Sequence, residues 1–582
     1  MTLVETEVAV GATGVLRAFN EADVLDVSDV HVAGRICELG NEPDERVALA
    51  VALLVRALRS GSVCVDLSTV ASAVGAEDVP WPELADWLAA VRASSLLGDS
   101  PVLHLDDERL LYLDRYWREE KQVCDDLLAL LVSRQTAELA AFERLFPPGY
   151  EEQRQAAEIA LSQAVTVLTG GPGTGKTTTV ARLLALLAKQ AELAGSSRPR
   201  IALAAPTGKA AARLQEAVAI EVAKLDAADQ ARLGELQAMT LHRLLGRRPG
   251  SSSRFRHHRG NRLPHDVIVV DETSMVSLTL MARLLEAVRP DARLILVGDA
   301  DQLASVEAGA VLADLVDGLS ARDDVRVAAL RTVHRFGKAI GALADAIRAG
   351  DADGALGLLR SGDQHIEFVE TDDPSEHLRS IVVPHALRLR EAALLGAADE
   401  ALATLDEHRL LCAHRHGPYG VQHWNRQVET WLSDETGQPP WSEWYAGRPL
   451  IVTANDYGLR VYNGDTGVVV AGPDGLRAVI AGAAGPLDFA TSRISDVETM
   501  HALTIHKSQG SQAKEVTVVL PQEDSPLLTR ELFCTAVTRA KRKVWVVGSD
   551  AAVRAAIGRR AVRASGLAQR LQSTHLQARS QC

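Results

Sequence analysis

Residues 164–179 read AVTVLTGGPGTGKTTT. Ala164 to Thr169 is a short apolar, β-branched run bounded by glycine, the pattern of a buried strand. The spacing G-x-x-x-x-G-K-T follows, from Gly170 to Thr177, and predicts a strand that enters a phosphate-binding loop and leaves it as a helix. Gly170, Gly171, Gly173 and Gly175 let the backbone curl until successive N–H groups converge, and a helix starting at Lys176 adds its positive end. Pro172 and Thr174 complete the loop, and Thr178 continues the helix. The expected ligand is a nucleoside triphosphate with Mg²⁺, Lys176 reaching the β- and γ-phosphates and the Thr177 hydroxyl joining the metal shell.

Three downstream segments give this loop chemistry. DVIVVDETSMV (266–276) is a continuous apolar strand that delivers Asp271 and Glu272 at its end. Asp271 is placed to hold Mg²⁺ through water, and Glu272 to orient and deprotonate an attacking water. RLILVGDADQL (293–303) supplies another strand and then Gln302, an uncharged amide suited to sensing a γ-phosphate. Arg335, in VRVAALRTVHRF, is either a surface arginine or the guanidinium that crosses to the transferring phosphoryl group. Upstream, Gln153 is either a surface residue or a reader of the N6 and N7 edge of adenine, which would favour ATP over GTP.

Later in the chain, HALTIHKSQG (501–510) precedes a buried strand, and LFCTAVTRAKRKVWVVG (532–548) puts Arg539 at the end of a helix. A second strand–helix sheet facing the first would bring Arg539 to the same ATP from the opposite side. Hydrolysis would then couple to relative motion of the two halves.

The 582 residues are enough for three or four domains, with 47% hydrophobic residues to build their cores. No apolar run is long enough to span a bilayer and the start lacks the sections of a signal peptide, so a cytoplasmic protein is expected. The six cysteines have no C-x-x-C spacing and read as buried free thiols rather than a zinc or disulfide framework. A net charge of −14 excludes a protein that coats DNA by bulk attraction. Any nucleic acid must lie in a local basic channel or be delivered by a partner.

Residues 1–135 are mainly helical in pattern and read as an accessory docking domain. Their Glu119-Glu120-Lys121 triplet reads as a solvated helix face rather than a nuclease remnant. Strand ends bind ligands in doubly wound sheets, which draws attention to APTGKAA (205–211) and, after it, to TLHRLLG (240–246). Thr240 and His242 there are available for phosphate contacts, although His242 taken alone reads as a capping or core residue rather than a ligand. Residues 247–264, RRPGSSSRFRHHRGNRLP, are basic with one aromatic, Phe255. They are either a surface loop or a projecting arm that holds phosphates and wedges a base pair. Between 447 and 482 short alternating strands are punctuated by Asn-Gly and Pro-Asp-Gly turns, the pattern of a small β-barrel insertion. Trp441 and Trp444 beside it are core residues or base-stacking platforms.

In this order GGPGTGKTT, APTGKAA, TLHRLLG, VVDETSMV, GDADQL, VHRF, TIHKSQG and TAVTRAK resemble the motifs of superfamily one helicases. With LYLDRYWREE, LCAHRHGPYGV and GRPLIVTANDYGLRVYNGDTG they resemble more specifically the RecD family, the alpha-subunit type of the bacterial RecBCD exonuclease V complex. The resemblance implies an α/β chain with two RecA-like parallel-sheet domains, at about 136–336 and 337–582. It also implies a helical N-terminal domain (1–135) and an SH3-like insertion near 440–498. It implies an ATP-dependent 5′-to-3′ translocase on single-stranded DNA that works with RecB-type and RecC-type subunits. The family's ATP positions fall on Gln153, Lys176, Thr177, Asp271, Glu272, Gln302, Arg335 and Arg539. DNA contacts fall on Pro206, Thr207, Gly208, Lys209, Thr240, His242, Thr504, His506 and Gln509, and strand separation on the 247–264 arm. Stand-alone relatives carry an N-terminal extension with helix-hairpin-helix repeats that is not found here, which favours the complex subunit over a stand-alone helicase or an architectural subunit.

Overall fold

A computed structural model describes residues 8–76, 78–132, 142–247, 254–332, 338–437, 442–456, 458–482, 485–561 and 563–580. The phosphate-loop strand Val165–Gly170 lies inside a six-stranded sheet in the order Ala238–Thr240, Ile201–Ala205, Val267–Val270, Arg293–Gly298, Val165–Gly170, Ala328–Leu330. Every pairing in it is parallel. A parallel sheet is covered on both faces, so its strands are apolar throughout. Val165, Val167, Ile268, Val270, Leu294 and Leu296 enter one core, while Leu168, Val267, Val269, Ile295 and Val297 enter the other. The second core is closed by helices Glu151–Ser162 and Lys176–Leu193.

A second parallel sheet runs Ile366–Glu370, Ala540–Gly548, Ala513–Val519, His408–Cys412, Ala502–Thr504. It alternates in the same way, Val516, Val518 and Leu411 facing one core and Val519, Leu410 and Cys412 the other. Between its strands the chain inserts a five-stranded antiparallel sheet, Gly485–Ala490, Gly475–Gly482, Thr466–Gly472, Pro449–Val452, Val497–Thr499. This insertion has its own small core of Leu450, Val461, Val469, Ala478 and Ile480. Trp444 packs against that core with the Arg448 guanidinium 5.0 Å from its ring centroid; Trp441 lies outside the described residues.

The N-terminal helices Gly14–Glu21, Val27–Leu39, Glu45–Arg59 and Leu84–Ala93 enclose a separate core around Phe19, Leu49, Leu53 and Trp87. A three-stranded antiparallel sheet, Cys64–Asp66, Leu110–Leu113, Leu103–Asp106, borders it. The following helix, Asp114–Leu131, leaves this unit and packs on the first lobe, where Val123 and Leu127 are fully buried.

Three expectations are corrected by the packing. Glu119 and Glu120 are not a solvated face, being 7% and 0% exposed. Glu120 accepts from the Tyr112 hydroxyl at 3.1 Å, Ser565 Oγ at 3.1 Å and Arg570 Nε at 3.0 Å. The end of the chain therefore does not stay with the second lobe: Leu567 and Leu571 are fully buried in the first lobe's core. Phe255 is not a projecting wedge either. It is 6% exposed within that core, its ring centroid 5.8 Å from that of His242. Arg259, from the same basic stretch, ion-pairs with Asp126 at 2.6 Å, while residues 248–253 lie outside the described residues.

Five cysteines are described, Cys37, Cys64, Cys124, Cys412 and Cys534, all buried free thiols. Among the described residues no helix is long and apolar enough to cross a membrane, and no three His, Cys, Asp or Glu gather as a metal cluster.

Candidate nucleotide cleft

Gly173 and Gly175 sit at φ of +83° and +89°, left-handed positions that a side chain would strain. They fold the backbone after Val165–Gly170 into a curl from which helix Lys176–Leu193 departs. Lys176 Nζ donates to the carbonyls of Gly170 at 2.5 Å and Gly171 at 2.9 Å, so the ammonium sits in the mouth of the loop. Thr174 Oγ1 braces the curl by donating to Gly171 at 2.9 Å. Thr177 and Thr178 occupy the first turn of the helix. Gln153 is 2% exposed rather than on the surface, and its Nε2 donates to the Thr174 carbonyl at 3.2 Å.

Asp271 and Glu272 end strand Val267–Val270 beside this loop. Burial, and then the neighbouring Glu272 carboxylate, push Asp271 up to about 6, against the opposing pull of Lys176 and Arg213. Glu272 holds a left-handed φ of +51°, a conformation that costs a non-glycine residue on the order of 1–3 kcal/mol and gathers at working sites.

The second lobe closes the cleft from the other side. Gln302, after strand Arg293–Gly298, donates through Nε2 to Asp299 at 2.9 Å and accepts at Oε1 from Arg539 Nη2 at 3.3 Å. Arg539 is 4% exposed and is further held by its Nε donating to the Thr535 carbonyl at 3.0 Å. The Leu303 N–H donates to Thr535 Oγ1 at 3.3 Å. Arg213, singled out by no motif, donates to the Gly510 carbonyl at 3.0 Å and to Gln512 Oε1 at 2.9 Å. Arg335 lies outside the described residues.

The residues expected on DNA divide into two groups. Thr207 and Thr240 cap the helices that follow them, accepting from the N–H groups of Ala210 and Arg243, each at 3.2 Å. Thr504 does the same for the Lys507 N–H at 3.2 Å. His242 and His506 are held below the usual imidazole range by burial. Gly208 packs so closely on the insertion that a Cβ there would lie 2.8 Å from Tyr462. Lys209 donates to the Gly464 carbonyl at 3.3 Å, and burial pulls its ammonium down to about 8. Gly208 and Lys209 thus face the insertion's 462–464 turn. Gln509 departs from expectation: it is 8% exposed and its amide donates to the Leu303 carbonyl at 2.9 Å. It ties lobe to lobe instead of presenting a surface.

Comparison with known proteins matches residues 21–112 to the N-terminal domain of RecBCD enzyme subunit RecD, 153–308 to an AAA domain and 499–547 to a UvrD-like helicase C-terminal domain. RecBCD enzyme subunit RecD of Mycobacterium tuberculosis is 76% identical over 574 residues, which are 99% of this chain and 100% of that one. This chain belongs to the RecD family. The RecD of Mycolicibacterium smegmatis is 69% identical, covering 96% of this chain and 99% of its own. The ATP-dependent RecD2 DNA helicase of Deinococcus radiodurans is 31% identical, covering 82% of this chain but 61% of its own. The cleft of this RecD-family chain is built from two of the matched segments, Lys176, Asp271, Glu272 and Gln302 coming from the AAA segment and Gln509 and Arg539 from the UvrD-like segment.

Proposed function

We propose that this chain is the ATP-dependent 5′-to-3′ helicase motor of a RecBCD-type complex, moving on single-stranded DNA during end processing in double-strand break repair, in the cytoplasm. The observation that carries the proposal is the hydrogen bond between Arg539 and Gln302, because it joins the two lobes beside the Lys176 loop and the Asp271–Glu272 pair. Lys176 and the N–H groups of residues 170–177 bind the phosphates, Gln153 faces the adenine side, and Glu272 orients and deprotonates the attacking water. Arg539 approaches the transferred phosphoryl group from the second lobe, and Arg335 is the other arginine assigned to that group; such arginines contribute about 10³ to 10⁵ in rate.

The residues also fit Mg²⁺. A carboxylate pushed up by desolvation and by its neighbour Glu272, as Asp271 is, is stabilised by a cation, and the Thr177 hydroxyl sits at the start of the adjoining helix. An ion held there by Asp271 and Thr177 would supply charge neutralisation to the phosphates. DNA passes over Pro206, Thr207, Gly208, Lys209, Thr240, His242, Thr504 and His506. Gln509 is left out because its amide is engaged by Leu303.

The test is to co-purify the tagged chain from its host, identify the bound subunits, and assay unwinding of duplexes with a 5′ or a 3′ tail. RecB-type and RecC-type subunits and a preference for 5′ tails are expected. Full unwinding by the isolated chain would make it a stand-alone helicase, and DNA processing insensitive to Lys176→Ala in the assembled complex would make it an architectural subunit.

A further inference from the structure

Helix Lys338–Ala349 of the second lobe ends over the phosphate loop of the first. Its Ile340, Leu343 and Ile347 are fully buried at three- and four-residue spacing, which fixes the helix on its own lobe. Arg348 follows this stripe directly and reaches across the boundary. A Cβ on Gly171 would lie 2.9 Å from Arg348 Nη2 and 3.5 Å from its Cζ, so the bare glycine is what lets the guanidinium come so near. The Gly171 carbonyl is also one of the two that hold Lys176 Nζ. Two cations, one from each lobe, therefore flank a single loop residue.

Arg348 makes an exchangeable ion pair, with Asp299 and Asp301 of the first lobe attracting it from further off. Its Nη1 meets Asp345 Oδ1 at 2.7 Å, and the Asp345 side chain is 67% exposed. An ion pair with so exposed a partner is worth about 0–1 kcal/mol. A phosphate offers more charge and a geometry that the planar guanidinium grips with two parallel bonds. Arg539, by contrast, meets uncharged partners, the Gln302 amide and the Thr535 carbonyl.

We propose that Arg348 exchanges Asp345 for the terminal phosphate of the nucleotide held by the 170–177 loop, an arginine supplied by the second lobe in addition to Arg539. The proposal rests on the nucleotide site described under the proposed function. Closing the lobes onto ATP, but not onto ADP, satisfies the guanidinium, so the position of the second lobe reports which nucleotide is bound.

The experiment titrates the full chain with ADP and with an ATP analogue carrying a non-hydrolysable terminal phosphate. Loss of a charged hydrogen bond in Arg348→Ala is expected to weaken analogue binding at least about tenfold while ADP binding stays within about twofold. Arg348→Lys recovers part of the difference. Equal losses for both nucleotides mean that Arg348 only braces the loop, and no loss means that it takes no part; either result overturns the proposal. Should Arg348→Ala fail to fold, Asp345→Asn carries the test. Freed from its competitor, Arg348 is then expected to raise the preference for the analogue about threefold, and an unchanged preference overturns the proposal. Lys176→Ala, run in parallel, separates the two readings: wild-type binding of both nucleotides there removes the site itself, whereas silent Arg348 and Asp345 variants beside a defective Lys176→Ala remove only this inference.

Discussion

Arg539 Nη2 donates to Gln302 Oε1 at 3.3 Å, joining two side chains that are 237 residues apart in the chain and lie on different lobes. Gln302 is in turn oriented by Asp299 at 2.9 Å, and Arg539 by the Thr535 carbonyl at 3.0 Å. The bond gives a displacement of Gln302 a route to the Arg530–Val537 helix of the second lobe, whose Thr535 carbonyl holds Arg539.

If the pair works as one unit, its members are not independent. Arg539→Ala is expected to lower the rate of ATP hydrolysis by about 10³-fold or more. Adding Gln302→Ala to it should cost far less than Gln302→Ala costs alone. Steady-state hydrolysis by the two single variants and the double variant checks this, and additive losses would show two separate roles.

Asp271 carries a stability cost with a defined pH window. Its folded value is raised to about 6 from an ordinary 3.8, so between these values the folded chain binds more protons than the unfolded one. Stability then falls as pH rises through the window, and the cost is complete above about pH 6. Asp271→Asn removes the ionisable group. Thermal melts without divalent metal are expected to show the variant more stable than wild type at about pH 8, with the gain gone at about pH 4, while ATP hydrolysis is lost. A destabilised variant at the higher pH would contradict the account.

Glu120 and Arg570 join segments 450 residues apart. Arg570→Ala leaves the fully buried Glu120 carboxylate short of its main counter-charge, a change that costs about 3–5 kcal/mol. Denaturant unfolding is expected to show this loss, while nucleotide affinity, set in the cleft, stays at the wild-type value.

Phe255→Ala separates a core residue from a wedge. As a core deletion it should cost about 3–5 kcal/mol of stability, with unwinding per folded molecule unchanged. A variant as stable as wild type but poor at unwinding would restore the wedge.

The first sheet was legible because its strands are continuous apolar runs ending in residues of recognisable chemistry: VIVV before Asp271, RLILVG before Gln302, AVTVLT before the glycine loop. Such patterns are local, and local patterns survive in a sequence. Long-range partners are not legible in this way. Glu120 reads as a surface charge until Arg570 and Ser565 arrive from the end of the chain. Phe255 reads as an exposed aromatic in a basic loop until His242 packs beside it. Gln509 sits in a stretch that resembles a DNA-contacting motif, yet its amide meets the Leu303 backbone of the opposite lobe. Arg213 carries no sequence signal at all, since one arginine on a helix says nothing of the Gly510 and Gln512 groups that receive it.

The most direct measurement is ATP hydrolysis by Lys176→Ala in the presence of single-stranded DNA, with folding verified by its melting curve. A fall of at least about a thousandfold, equivalent to roughly 4 kcal/mol of lost transition-state stabilisation, is the predicted result. Hydrolysis near the wild-type rate would contradict the assignment of the nucleotide to this cleft.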